Sequence, residues 1–181
     1  MTIRRLLPRR GLMPGWRSML YRLLPLLLII LTGCGAEIPD RLQIGDPAPP
    51  FAVRSLEGKD ISLGDYRGKP VVLRFFLVDC KYCRADTPVL NDYYARYEAK
   101  GLRVIYIAPQ GINQKTVEDF AGELHIAFPV ALDPTGEIAA SYRVKALPQT
   151  IVLSPDHKII AALLGGVSEA ELNRLLSPYV Q

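Results

Sequence analysis

Residues 71–78 form an almost unbroken apolar run, and just past its end stands Cys80-Lys81-Tyr82-Cys83. No other feature restricts the fold as much. The run follows Gly68-Lys69-Pro70 and shows little polar alternation, so it reads as a central strand buried on both faces. From residue 84 the pattern changes. Val89, Leu90, Tyr93, Tyr94 and Tyr97 recur at helical spacing, and Gly101 stands where a helix C′ residue belongs. Pro88 lies inside that stretch and predicts a kink. A strand that feeds Cys-x-x-Cys into a helix N-terminus builds a redox-active dithiol. The unpaired amides of the first turn stabilise a thiolate on Cys80, and the spacing lets Cys83 close a small disulfide ring.

The remaining pattern supplies the frame. Residues 51–54 and 60–63 are short strand candidates around a turn, and 102–108 is a second buried strand. Residues 114–124 read as a helix, 128–131 as a short extended piece and 136–142 as one helical segment. Strands at 150–153 and 158–164 flank Ser154-Pro155-Asp156-His157 and predict a hairpin. Ser168, with Glu171 three residues on, is the capping box of a terminal helix. A β-α-β half followed by a β-β-α half is the thioredoxin arrangement: an α/β fold with a central mixed sheet, helices on both faces and an N-terminal β extension. Its chemistry belongs at the C-terminal end of the central strand.

The N-terminus has a different character. Six arginines and no acidic residue occupy residues 1–33, ahead of a nine-residue apolar core at 23–31 interrupted by Pro25. That core is too short to span a bilayer and has the form of a signal peptide. Leu31-Thr32-Gly33-Cys34 follows the bacterial lipoprotein pattern, in which Cys34 is lipidated and becomes the new N-terminus. The expected domains are a lipoprotein signal at 1–33, a lipidated tether at 34–46 and a thioredoxin-like domain at 47–181. Gly35 after Cys34 leans toward outer-membrane sorting in a two-membrane host. The chain carries a net +4, but six of its 22 basic residues belong to the signal, which leaves 16 against 18 acidic residues. The basic balance therefore gives no reason to expect a nucleic-acid partner.

The chain resembles the membrane-tethered, thioredoxin-like thiol–disulfide oxidoreductases of the TlpA/ResA type, within the broader redoxin/peroxiredoxin-like group. The motifs are Gly45-Asp46-Pro47-Ala48-Pro49-Pro50-Phe51, the Cys80–Cys83 segment, Phe128-Pro129-Val130 ahead of Asp133, and Val144-Lys145-Ala146-Leu147-Pro148-Gln149-Thr150. The resemblance implies an enzyme outside the cytoplasm that needs no cofactor beyond its own disulfide. Its partners would be proteins bearing disulfides and a membrane thiol electron donor, and cytochrome c maturation is one family role. Pro148 is implied to be a cis-proline facing the dithiol, with the backbone of Leu147 pairing an extended substrate segment. Three positions depart from the family pattern: Asp79 replaces the usual Trp, Arg74 replaces Asn or Asp, and Gln149 replaces Thr.

Cys80 is thus the expected nucleophile and Cys83 the resolving thiol, with Pro148 completing the catalytic set. Lys81 favours the Cys80 thiolate and Asp79 opposes it; Tyr82, Arg74 and Leu147 complete the expected modulating set. A buried Arg74 needs a partner, for which Asp133 or Asp79 is expected. The tyrosines at 93, 94 and 97 read as packing residues, and His125, His157, Glu118 and Glu123 as surface residues. Other classes are less favoured by the residues present. Structural zinc wants four ligands, and only two paired Cys and two scattered His are on offer. A copper-delivery module of the Sco type uses a longer Cys–Cys spacing and a downstream His. A peroxidase needs Thr or Ser where Leu77 stands.

Overall fold

A computed structural model describes residues 42–180. The expected signal at 1–33 and the lipidation site Cys34 lie outside the described residues. A five-stranded mixed sheet has the order β5-β4-β3-β6-β7. Its strands are β3 (Val71–Phe75), β4 (Arg103–Ala108), β5 (Val130–Leu132), β6 (Gln149–Leu153) and β7 (Ile159–Leu164). β3 runs parallel to β4 and β4 to β5, while β6 and β7 are antiparallel. A separate hairpin joins β1 (Ala52–Arg54) to β2 (Asp60–Ser62) and touches the sheet where Ser55 bridges Ala131. Among the described residues four α-helices complete the fold: α1 (Lys81–Tyr97), α2 (Gln114–Glu123), α3 (Glu137–Ser141) and α4 (Glu169–Leu176).

The central position of β3 explains its composition. All five residues are buried, because neighbouring strands lie on each side and packed layers on each face. Val71, Leu73 and Phe75 point to one face, where they meet Ile138, Tyr142, Phe51 and Ile61. Val72 and Arg74 alternate to the other face, under the Leu90, Tyr93 and Tyr94 face of α1, with Phe120 of α2 and Leu172 and Leu176 of α4 in the same core. Phe76 stacks on Phe120 with ring centroids 5.0 Å apart and leans on Tyr106 at 5.1 Å.

The strand ends at Phe75, three residues before the apolar run does. The Phe76 amide still bonds to Ile107 O, but a tight turn follows in which the Cys80 amide donates to Leu77 O. Val78 remains core, whereas Leu77 turns outward. Burial, not pairing, accounts for the extra apolar residues. The helix α1 runs through Pro88 without interruption as an element. Ser168 and Glu171 form the expected capping box at α4, and Gly101 adopts the left-handed conformation that closes the 3-10 turn Glu98–Lys100 following α1.

Two expectations change. The tether reading extends to residue 46, yet the Gly45 amide donates to Ile159 O and the Ile159 amide to Asp46 O. The ordered body therefore begins ahead of residue 47, laid along the edge of β7. His157 is not a surface residue: it is 7 % exposed. Its turn is covered by the same entry segment, whose Ala48 amide donates to His157 O. Among the described residues no helix is long and apolar enough to cross a membrane.

Candidate active site

The C-terminal ends of the parallel strands β3, β4 and β5 gather at one rim of the sheet, and the dithiol stands there. Cys80 is the N-cap of α1. Its backbone is extended, and its Sγ accepts the Cys83 amide at 3.3 Å. The sulfur therefore takes the place that a serine or aspartate oxygen usually fills, at the positive end of a seventeen-residue helix. Cys80 is partly exposed; Cys83, one turn on, is fully buried, and both are free thiols. Burial pushes the Cys83 thiol up to about 12, and its hydrogen bond with Cys80 adds to the rise, against the pull of the Leu77 backbone and of Arg74. One sulfur reaches the surface while its partner is held back inside as a protonated thiol.

Beneath Cys83 the buried face of α1 is polar. Thr87 Oγ1 donates to Cys83 O at 2.5 Å and lies 3.0 Å from Tyr106 Oη on β4. Burial drives the Tyr106 phenol far above its usual range. Asp86 meets Arg74: Nη2 lies 2.5 Å from Asp86 Oδ2, and the Val167 amide donates to the same oxygen at 2.9 Å. Burial raises the Asp86 carboxyl above its ordinary value despite these partners.

Asp86 thus replaces both expected partners of Arg74. Asp133 is buried but caps α3, where its Oδ2 accepts the Ala139 amide at 2.8 Å. Asp79 is exposed in the turn ahead of Cys80. The sequence held a signal for the correct choice. Asp86 is three residues after Cys83 and four before Leu90, on the face that α1 buries.

The Leu147–Pro148 peptide is cis. Pro148 is buried directly ahead of β6, and its carbonyl accepts the Gly165 amide at 2.9 Å. Lys81 and Tyr82 are exposed, with the Lys81 ammonium 5.1 Å from the centre of the Tyr82 ring. Arg84 fixes the first turn by donating to Val78 O and pairing with Glu123 at 2.7 Å. A shallow apolar groove of about 300 Å³ runs beside Leu147, lined by Phe75, Leu77, Pro109, Ala139 and Val144. Leu77, Tyr82 and Leu164 are large apolar side chains left exposed near the dithiol and the cis peptide. Among the described residues no three His, Cys, Asp or Glu side chains cluster as a ligand set.

Comparison with known proteins converges on the same reading. The AhpC/TSA family model matches residues 44–162. The thiol-disulfide oxidoreductase ResA of Bacillus thuringiensis subsp. konkukian is 34% identical over 165 residues, spanning 86% of this chain and 95% of the relative. The protein of that name from Geobacillus thermodenitrificans is 28% identical over 158 residues, spanning 83% and 90%. The crystal structure of the thioredoxin domain of a thiol-disulfide oxidoreductase from Bacteroides vulgatus superposes with a TM-score of 0.68 at 26% identity, covering 77% of this chain and 99% of that one.

Proposed function

Because the chain belongs to the AhpC/TSA family and is a thiol-disulfide oxidoreductase of the ResA/TlpA kind, we propose that it reduces disulfides of protein partners outside the cytoplasm, tethered to the membrane through Cys34. The observation that carries the reductive dithiol reading is the unequal pair: a partly exposed cap sulfur on Cys80 and a buried, protonated Cys83.

The reaction follows from that inequality. The Cys80 thiolate attacks one sulfur of a substrate disulfide; a Cys80–substrate bond forms, and the other substrate sulfur leaves as a thiolate that takes up a proton. Cys83 then loses its proton and attacks Cys80 Sγ. The mixed disulfide breaks, the second substrate thiol is released, and Cys80–Cys83 remains as the disulfide. Two electrons have passed to the substrate, and an extracytoplasmic dithiol donor restores the reduced pair. The rim of Leu77, Tyr82 and Leu164 and the groove beside Leu147 favour an extended apolar segment of a protein over a small hydrophilic disulfide. The membrane tether rests on the Leu31-Thr32-Gly33-Cys34 pattern.

The test is a trap and a potential. Cys83→Ser should accumulate a mixed disulfide between Cys80 and an oxidised protein substrate such as insulin, while the wild type passes through it. Equilibration of the wild type with glutathione should place the pair near the reducing end of the scale, about −270 mV, and a value near about −120 mV would reassign the protein as an oxidant. Labelling of the exported protein with a radiolabelled fatty acid, lost in Cys34→Ala, tests the tether.

A further inference from the structure

Four pieces of chain meet on the face of β3 beneath the dithiol, and one side chain holds them together. Arg74 is fully buried at the middle of the sheet. Its Nη1 donates to Thr150 Oγ1 at 2.6 Å, two residues past Pro148, and to Gly165 O at 2.9 Å. The amide of that glycine in turn holds the Pro148 carbonyl. Its Nη2 grips Asp86, in the helix that carries Cys83. A planar fork with several fixed donors reaches all three acceptors at once; an ammonium on a flexible stem does not reproduce that geometry.

The arrangement is a poor way to gain stability. Arg74 Nε and Asp86 Oδ1 lie buried with no partner among the described residues. Desolvation offsets much of what such a pair gains, and apolar replacements often match it. Its position suits a different task. The disulfide is neutral, whereas the dithiol gains negative charge when it ionises, so a fixed cation on this face favours the dithiol and a carboxylate disfavours it.

We propose that Arg74 is a positioning residue of the exchange reaction: it docks the first turns of α1 against the strand after Pro148 and biases the Cys80–Cys83 couple toward the dithiol, with Asp86 opposing that bias. The proposal rests on the reading of Cys80–Cys83 as the exchanging pair. The balance it sets is that of protein disulfide plus two glutathione thiols with protein dithiol plus oxidised glutathione, two electrons and two protons on each side.

The experiment is a glutathione redox series, followed by alkylation of the pair, at a pH where Cys80 labels as thiolate. Arg74→Met should move the equilibrium about tenfold toward the disulfide, a potential about 30 mV lower. Asp86→Asn should move it toward the dithiol. Arg74→Lys, which keeps the charge, should lie closer to wild type than Arg74→Met. Opposite signs for the first two variants are the signature, because loosening of the packing alone would not reverse sign between them. Shifts of the same sign, or less than about a threefold change in Arg74→Met, would overturn the proposal. If Arg74→Met does not fold, Arg74→Met/Asp86→Leu removes both charges without leaving one buried. That variant should lie on the disulfide side of Asp86→Asn, which already lacks the opposing charge, and a value equal to or above that of Asp86→Asn refutes the bias. A wild-type pair that does not interconvert at all overturns this proposal together with the reductase reading; a normal pair with unshifted variants overturns this proposal alone.

Discussion

Iodoacetamide added at pH 7 to the reduced protein should label Cys80 and leave Cys83 untouched. Burial, with the hydrogen bond to Cys80, lifts the Cys83 thiol from 9.0 to about 12. Only the thiolate reacts, so its fraction at pH 7 is lower than that of an ordinary thiol by about a thousandfold. Full burial of the side chain adds a steric barrier in the same direction. The assay is a time course with the labelled site read by peptide mass spectrometry, against a cysteine peptide as the reference thiol. The Cys83 rate should then climb about tenfold per pH unit and level off only near 12, while the reference levels off near its own, lower value. Labelling of Cys83 at pH 7 within about tenfold of the peptide would refute the reasoning, because a merely hindered thiol still ionises normally and a merely protonated one still meets reagent.

The same shift carries a stability prediction. The unfolded chain gives up the Cys83 proton near 9.0 and the folded one only near 12, so between those values the folded state binds more protons and loses stability as pH rises. The disulfide has no such proton. Urea midpoints should therefore fall further for the reduced than for the oxidised protein between about pH 8 and about pH 10, with the buried tyrosines contributing equally to both. Thr87→Val leaves the Tyr106 hydroxyl buried without its partner and should cost about 1–3 kcal/mol. Adding Tyr106→Phe should recover part of that loss in the same urea titration, and strict additivity of the two changes would count against the pairing. Ser168→Ala removes the oxygen that accepts the Glu171 amide, and a loss of about 0.5–2 kcal/mol is expected in thermal or urea unfolding.

Periodicity and punctuation make most of the architecture legible in the sequence. The run that became β3, the switch to helical spacing after Cys83 and the Ser168 capping box are local signals, written within a few residues of where they act. The partner of Arg74 was harder to read, because the pairing depends on which acid the folded helix presents to the sheet. Asp79 is nearer in sequence, and Asp133 sits in a family motif, but neither is on the face that α1 buries. Helical phase counted from Cys83 would have selected Asp86. Thr150 and Gly165 were beyond that kind of reading, since they meet Arg74 across 76 and 91 residues of sequence. His157 shows a related failure. Ser154-Pro155-Asp156-His157 is a turn, as its composition says, but composition does not tell that another segment lies over it.

The sulfur of Cys80 has two employments, as nucleophile and as the cap that holds the amide of Cys83. Sulfur bonded to a second sulfur carries less negative charge and is a weaker acceptor than a thiolate. Each time Cys80 enters a disulfide, the first turn of α1 therefore loses part of its tie, and each reduction restores it. The backbone proton of Cys83 is in this sense a reporter of the electron count: its exchange with solvent deuterium should be slower in the reduced protein than in the mixed disulfide. A state of oxidation confined to two side chains is thereby written into the main chain of the helix that carries them.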